Sequence, residues 1–151
     1  MPKVNKILFP LEFASITPAV VPWVEFYAEQ FKAEIHVLHV VPYGSFLGVP
    51  YAAEIFRAQD DEGLIRKADQ AVGHFINEHF KKPGELITKS VTGDPAKEVI
   101  KYAGAQDIDM IIMATHGKHG LDRGLYGSVA DMVLRYANVP VLCYNPKPES
   151  I

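Results

Sequence analysis

Alternation constrains this chain most. Five short apolar runs are separated by longer stretches whose apolar residues follow helical spacing. Lys6-Ile-Leu-Phe9, closed by Pro10, is too short for a helix and reads as a buried strand. Glu34–Val41 is nearly continuous in apolar residues, as parallel strands covered on both faces are. Leu86–Thr92 is more polar and suits a sheet edge, whereas Asp109–Ala114 is the most apolar and is expected to be central. Val139–Tyr144 is the last run. Strands that alternate with helices make βαβ units, and right-handed crossovers then put helices on both faces. The expected class is α/β, a doubly wound, mainly parallel sheet.

The connecting stretches carry their own punctuation. Thr17-Pro18 resembles an N-cap followed by proline at the first helical position, opening a helix to about Lys32. Pro22 should kink that helix or delay its start, and Trp23, Phe26, Tyr27 and Phe31 read as its core side. From Tyr51 to Phe80 the residues Leu64, Ala68, Val72, Phe75, Ile76 and Phe80 recur at helical spacing, with Gly63 allowing two pieces. Asp94-Pro95 opens a third helix with Val99, Ile100 and Ala103 on its stripe. Ser128 caps a short fourth helix, with Val129, Met132, Val133 and Tyr136 on one side. The 151 residues suit one domain, 1–146, with 147–151 as a tail.

Composition narrows the classes. The single cysteine, Cys143, excludes an intrachain disulfide framework and a multi-cysteine zinc site. A net charge of −3 provides no global basic field for nucleic acid or anionic lipid. No run of 18 apolar residues exists, and Glu12 interrupts the N-terminal apolar stretch, so neither a membrane span nor a signal peptide is expected. The expectation is a cytoplasmic protein.

Ligands of doubly wound sheets sit outside the carboxyl ends of the strands, where strand order reverses. This directs attention to Pro10–Ser15, Val40–Tyr43, Gly93–Pro95 and Ala114–Ser128. The last is glycine-rich: Gly117, Gly120, Gly124 and Gly127 let backbone approach a ligand, and free N–H groups open the helix beyond. With Lys118, Arg123, Thr115 and Ser128 this makes a plausible phosphate site, although a plain strand–helix connection would look similar. It has neither P-loop nor dinucleotide-fold spacing.

Other polar residues weigh less. His116 and His119 are three apart on a loop with no carboxylate or thiol motif, so no metal is expected. His36 and His39 fall on opposite faces of their strand and read as satisfied sheet histidines. Asp60-Asp61-Glu62 reads as a solvated helix face, and Cys143 as a small hydrophobe in its strand.

Gly117, nine residues, Gly127-Ser128, and then Val129 to Leu142 closely resemble the signature of the universal stress protein family. Lys6–Pro10, Val37–Val40, Val91–Pro95 and Asp107–Met113 match it too, in order, over essentially the whole chain. The resemblance implies a five-stranded sheet of order 3-2-1-4-5, of the adenine nucleotide alpha hydrolase-like type, and a homodimer paired through Val139–Tyr144. It also implies ATP, with or without Mg²⁺, between the first and fourth strands. Pro10, Leu11, Glu12 and Val40 would then surround the base. Met113, Ala114, Thr115, His116 and Gly117, with Gly127, Ser128 and Val129, would hold ribose and phosphates, Lys118, His119 and Gly120 lying nearby. The chain departs from the family where Ala114 replaces the first glycine, Glu12 an aspartate and Ala14 a serine. The expected role is an ATP-binding regulator of a stress response with no assigned catalytic residue. The alternatives are a nucleotide-free dimeric adaptor and a slow ATP hydrolase. A phosphorylated receiver lacks the paired aspartates after the first strand.

Overall fold

The computed structural model describes residues 1–14, 16–42, 61–115, 128–146 and 150–151. Five parallel strands form one sheet: β1 (Lys6–Pro10), β2 (Glu34–Pro42), β3 (Ile87–Gly93), β4 (Met110–Ala114) and β5 (Val141–Tyr144). Their order is β3-β2-β1-β4-β5. β1 is therefore central, and β4 lies one place out. An apolar run reports that both faces are covered, which is true of each inner strand, and so does not rank them. β3 is an edge, with Ile87, Thr88 and Lys89 exposed.

Ile7, Leu8 and Phe9 are fully buried, and the strand period sends them alternately to two core layers. Ile7, Phe9, Val37 and Ile112 pack beneath α1 (Val21–Phe31) and α2 (Asp61–His79). Leu8, Leu38, Ile111 and Met113 pack against α3 (Pro95–Ala105) and α4 (Ser128–Tyr136). Helices thus cover both faces, as the alternation requires.

The first helix begins later than its threonine suggests. Thr17 opens a 3-10 turn, Thr17–Ala19, and caps nothing; it is buried, and its hydroxyl donates to the Glu12 carbonyl. Pro22 sits in the first turn of α1, where a missing N–H costs nothing, so it delays the helix without kinking it. Lys32, at φ 53°, ends the helix in the left-handed region. The aromatic side is not the core side. Val21, Val24 and Ala28 face the sheet at the i, i+3, i+7 positions, and Trp23, Phe26 and Phe31 remain 43–48% exposed. Small residues, two valines and an alanine, let the helix sit close to the strands, and the rings lie to the side, where they pack on one another.

α2 is continuous through Gly63, and Ala68, Val72, Phe75 and Ile76 are its buried side. The expected stretch before Asp61 lies outside the described residues. α3 is capped as its sequence implies: Lys97 N–H donates to Asp94 Oδ1 at 3.0 Å. Gly93 precedes it at φ 153°, and a Cβ there would lie 2.8 Å from Glu98 Cγ. In α4 the inward residues are Val129, Ala130 and Val133, while Met132 and Tyr136 are exposed. The stripe is rotated because the helix packs on α3 as well as on the sheet.

His36 and His39 do face opposite layers. His36 is buried, with Nε2–H donating to Glu34 at 2.7 Å and Nδ1 2.8 Å from the Tyr102 hydroxyl. The carboxylate can only accept, so Nε2 carries a proton in this contact. Burial, then the Glu34 charge, raises the Tyr102 pKa.

Candidate functional site

Strand order reverses at β1, which has β2 on one side and β4 on the other. The two sides differ. Toward β2, pairing runs from Lys6 to Pro10 and continues as Leu11 N–H donates to the Leu38 carbonyl at 2.9 Å. Toward β4, the paired residues are only Ile7 with Met110 and Leu8 with Ile111. β4 meanwhile stays paired to β5 through Ala114 and Tyr144, and Thr115 N–H donates to the Tyr144 carbonyl. Beyond Leu8 and Ile111 the β1–β4 ladder ends, since Pro10 has no N–H to continue it. Doubly wound sheets hold ligands in the crevice outside such carboxyl ends.

These strand ends consist of residues that the sequence singled out. Pro10, Leu11, Val40 and Met113 have buried side chains, so their contribution to a ligand would be through main chain and shape. Ala114 and Thr115 are half-buried and Glu12 is exposed. Val129 is half-buried in the first turn of α4. That helix opens on the carboxyl side of the sheet, since it returns the chain to the start of β5. Its first N–H groups have no partner within the helix. Ser128 is its first residue, but its side chain lies outside what is described, as do His116, Gly117, Lys118, His119, Gly120 and Gly127.

Two contributors escaped the sequence reading. The turn after β1 is held from behind by Thr17, whose hydroxyl bonds the Glu12 carbonyl, and by His39, whose Nδ1–H donates to the Leu11 carbonyl at 2.8 Å. Ala14 N–H adds a second bond to the Glu12 carbonyl at 2.9 Å. Phe13 lies edge-on to the His39 ring, with centroids 4.6 Å apart, and reaches Phe75 of α2 at 6.3 Å. The only sequence signal was the position of His39 beside Val40, at the end of a strand.

The remaining candidates do not join the site. Glu62 is exposed on α2. Cys143 is half-buried, and burial together with the Asp131 charge raises its thiol pKa, so it stays protonated at neutral pH. Among the described residues no three His, Cys, Asp or Glu side chains gather as metal ligands, and no helix is long and apolar enough to cross a membrane.

Comparison with known proteins agrees with this architecture. The model of the universal stress protein family matches residues 3–145. Universal stress protein MJ0531 of Methanocaldococcus jannaschii is 31% identical over 151 residues, covering 96% of this chain and 85% of its own. The solved structure of MJ0577, from the same organism, superimposes with TM-score 0.74 at 27% identity, covering 96% of this chain and 98% of that one. A universal stress protein solved in complex with cAMP shares the fold, with TM-score 0.60 at 17% identity over 96% of this chain and 99% of that one.

Proposed function

The chain belongs to the universal stress protein family, and from that premise we propose that it is a cytoplasmic, ATP-binding regulatory protein of a stress response. The observation that carries this is the reversal of strand order at β1, whose ladder with β4 ends at Leu8 and Ile111. Adenine would enter between Pro10–Glu12 and Val40. Ribose and phosphates would run along Met113–Gly117 to the start of α4 at Gly127, Ser128 and Val129, with Lys118, His119 and Gly120 beside them. A net charge of −3 does not attract a polyanion, so main-chain N–H groups at a helix start must do so. The complex of a fold relative with cAMP supports an adenine ligand for this architecture. Binding would act by shifting conformation or partner affinity rather than through hydrolysis.

The active form would be a homodimer paired through Val139–Tyr144. β5 is a sheet edge carrying Val-Leu-Cys-Tyr and no charge, which leaves its backbone open to a second strand. A nucleotide-free adaptor is the second reading, favoured by Ala114, which adds a methyl group at the crevice, and by Glu12, one methylene longer than the family's aspartate.

Calorimetric titration of nucleotide-stripped protein with ATP, ADP and AMP, with and without Mg²⁺, decides between these readings. Saturable heat with ATP is expected, and it should vanish in Gly127→Val while the fold persists. Absence of heat and of thermal shift at millimolar ATP leaves the adaptor. Mass spectrometry of incubated ATP should find it unchanged over hours; turnover would make the protein a hydrolase.

A further inference from the structure

We propose that His39 is a positioning residue of the nucleotide crevice: its imidazole fixes the Leu11 carbonyl and thereby sets the turn through Glu12 that a base and ribose would meet. The proposal rests on the crevice being the nucleotide site. Beyond Leu8 β1 makes no further pair with β4, and the main chain of Leu11 is bonded to β2. Both polar groups of Leu11 are held there. Its N–H donates to the Leu38 carbonyl, and its carbonyl accepts from the side chain of the next residue, His39. In a continuing parallel ladder that carbonyl would take the Val40 N–H. The imidazole takes that place, ending the ladder one bond early and leaving the Val40 N–H outside it at the crevice edge.

The ring is well placed for this. β2 is an inner strand paired on both sides, and His39 lies opposite Ser90 of β3. Phe13 packs edge-on against the imidazole, and Phe75 backs Phe13 from α2. A carbonyl can only accept, so Nδ1 must carry hydrogen, and in the neutral ring Nε2 is the acceptor nitrogen. Thr17 does the same for the next carbonyl, that of Glu12. Two consecutive carbonyls are thus held by side chains.

The test uses two substitutions in the full chain. His39→Phe keeps a ring against Phe13 but has no donor; His39→Asn places an amide N–H near the lost Nδ1–H. ATP affinity should fall about tenfold or more in His39→Phe, the scale of one lost bond to a buried carbonyl, and should return to within roughly threefold in His39→Asn. Equal affinity in wild type and His39→Phe overturns the proposal, as does an Asn variant as weak as Phe, which would make the ring rather than its donor responsible. A nucleotide-free readout separates this from the crevice reading. Long-range ¹H–¹⁵N spectra of the wild type should show His39 with hydrogen on Nδ1, and the Leu11 and Ala14 amides should exchange faster in His39→Phe. Hydrogen on Nε2 alone overturns the proposal even if His39→Phe does not fold. If the wild type binds no nucleotide, the site assignment fails, and the tautomer and exchange still decide whether His39 sets the turn.

Discussion

The two ends of the β1–β4 pair are built in opposite ways. At the amino end the strands are stitched. Asp109 Oδ2 accepts N–H bonds from Asn5 at 2.8 Å and Lys6 at 3.0 Å, Asp109 N–H donates to the Lys6 carbonyl, and Lys6 Nζ reaches the Gln106 carbonyl. The Glu34–His36–Tyr102 chain ties β2 to α3, starting from that same end. At the carboxyl end the β1–β4 ladder stops after Leu8 and Ile111, and the turn after β1 is held by His39 and Thr17. One end is tied by side chains across the pair, and the other is where the proposed ligand would enter. A parallel sheet can open at a switch point because each strand keeps its other neighbour, β2 for β1 and β5 for β4.

If this division holds, substitutions at the closed end should cost stability and those at the open end should cost affinity. Leu8, fully buried in the last β1–β4 pair, should show the largest effect: Leu8→Ala should lower unfolding free energy by about 2–5 kcal/mol in denaturant titration. Asp109→Ala should cost about 2 kcal/mol by removing the acceptor of two N–H bonds, with ATP affinity of the folded protein unchanged. A loss of affinity equal to that in His39→Phe would erase the distinction between the ends.

Alkaline pH should weaken the closed end next. The folded pKa of Tyr102 is raised, so its share of stability is complete below the unfolded value of about 10 and is lost as pH rises through the folded value. Thermal melts should therefore decline above roughly pH 10, and Tyr102→Phe should flatten that decline. At the open end, Thr17→Val should cost only about 1 kcal/mol, since the Glu12 carbonyl keeps its Ala14 bond, while nucleotide affinity falls further than stability does. Smallest and opposite in sign is Ser90→Ala. Ser90 Oγ is the described buried side-chain atom without a hydrogen-bond partner, so removing it should be neutral or stabilise by up to about 1 kcal/mol.

Much of the fold was legible because its signals are local. Asp94-Pro95 announced a capped helix, and the polar composition of β3 announced an edge. The strand ends around Pro10–Glu12 and Ala114–Thr115, where we propose the ligand site, were legible because strand alternation implies a switch point. The turn chemistry was not legible. Thr17 looked like a cap because threonine before proline usually is one; here its hydroxyl instead bonds a carbonyl five residues back. The aromatic run on α1 looked like core because ring size suggests burial, yet Val21, Val24 and Ala28 fill the seam and leave the rings outside.

By itself, then, the sequence determined the type of the main elements, the α/β class and the presence of a switch point at the carboxyl ends of the strands. Periodicity, caps and apolar runs are properties of a few neighbouring residues and need no partner to be read. Tertiary structure alone decided which side of each helix meets the sheet and that His39 completes a strand end 28 residues away. Each of these depends on two distant segments meeting, and a pairing between segments leaves no periodic trace in either one.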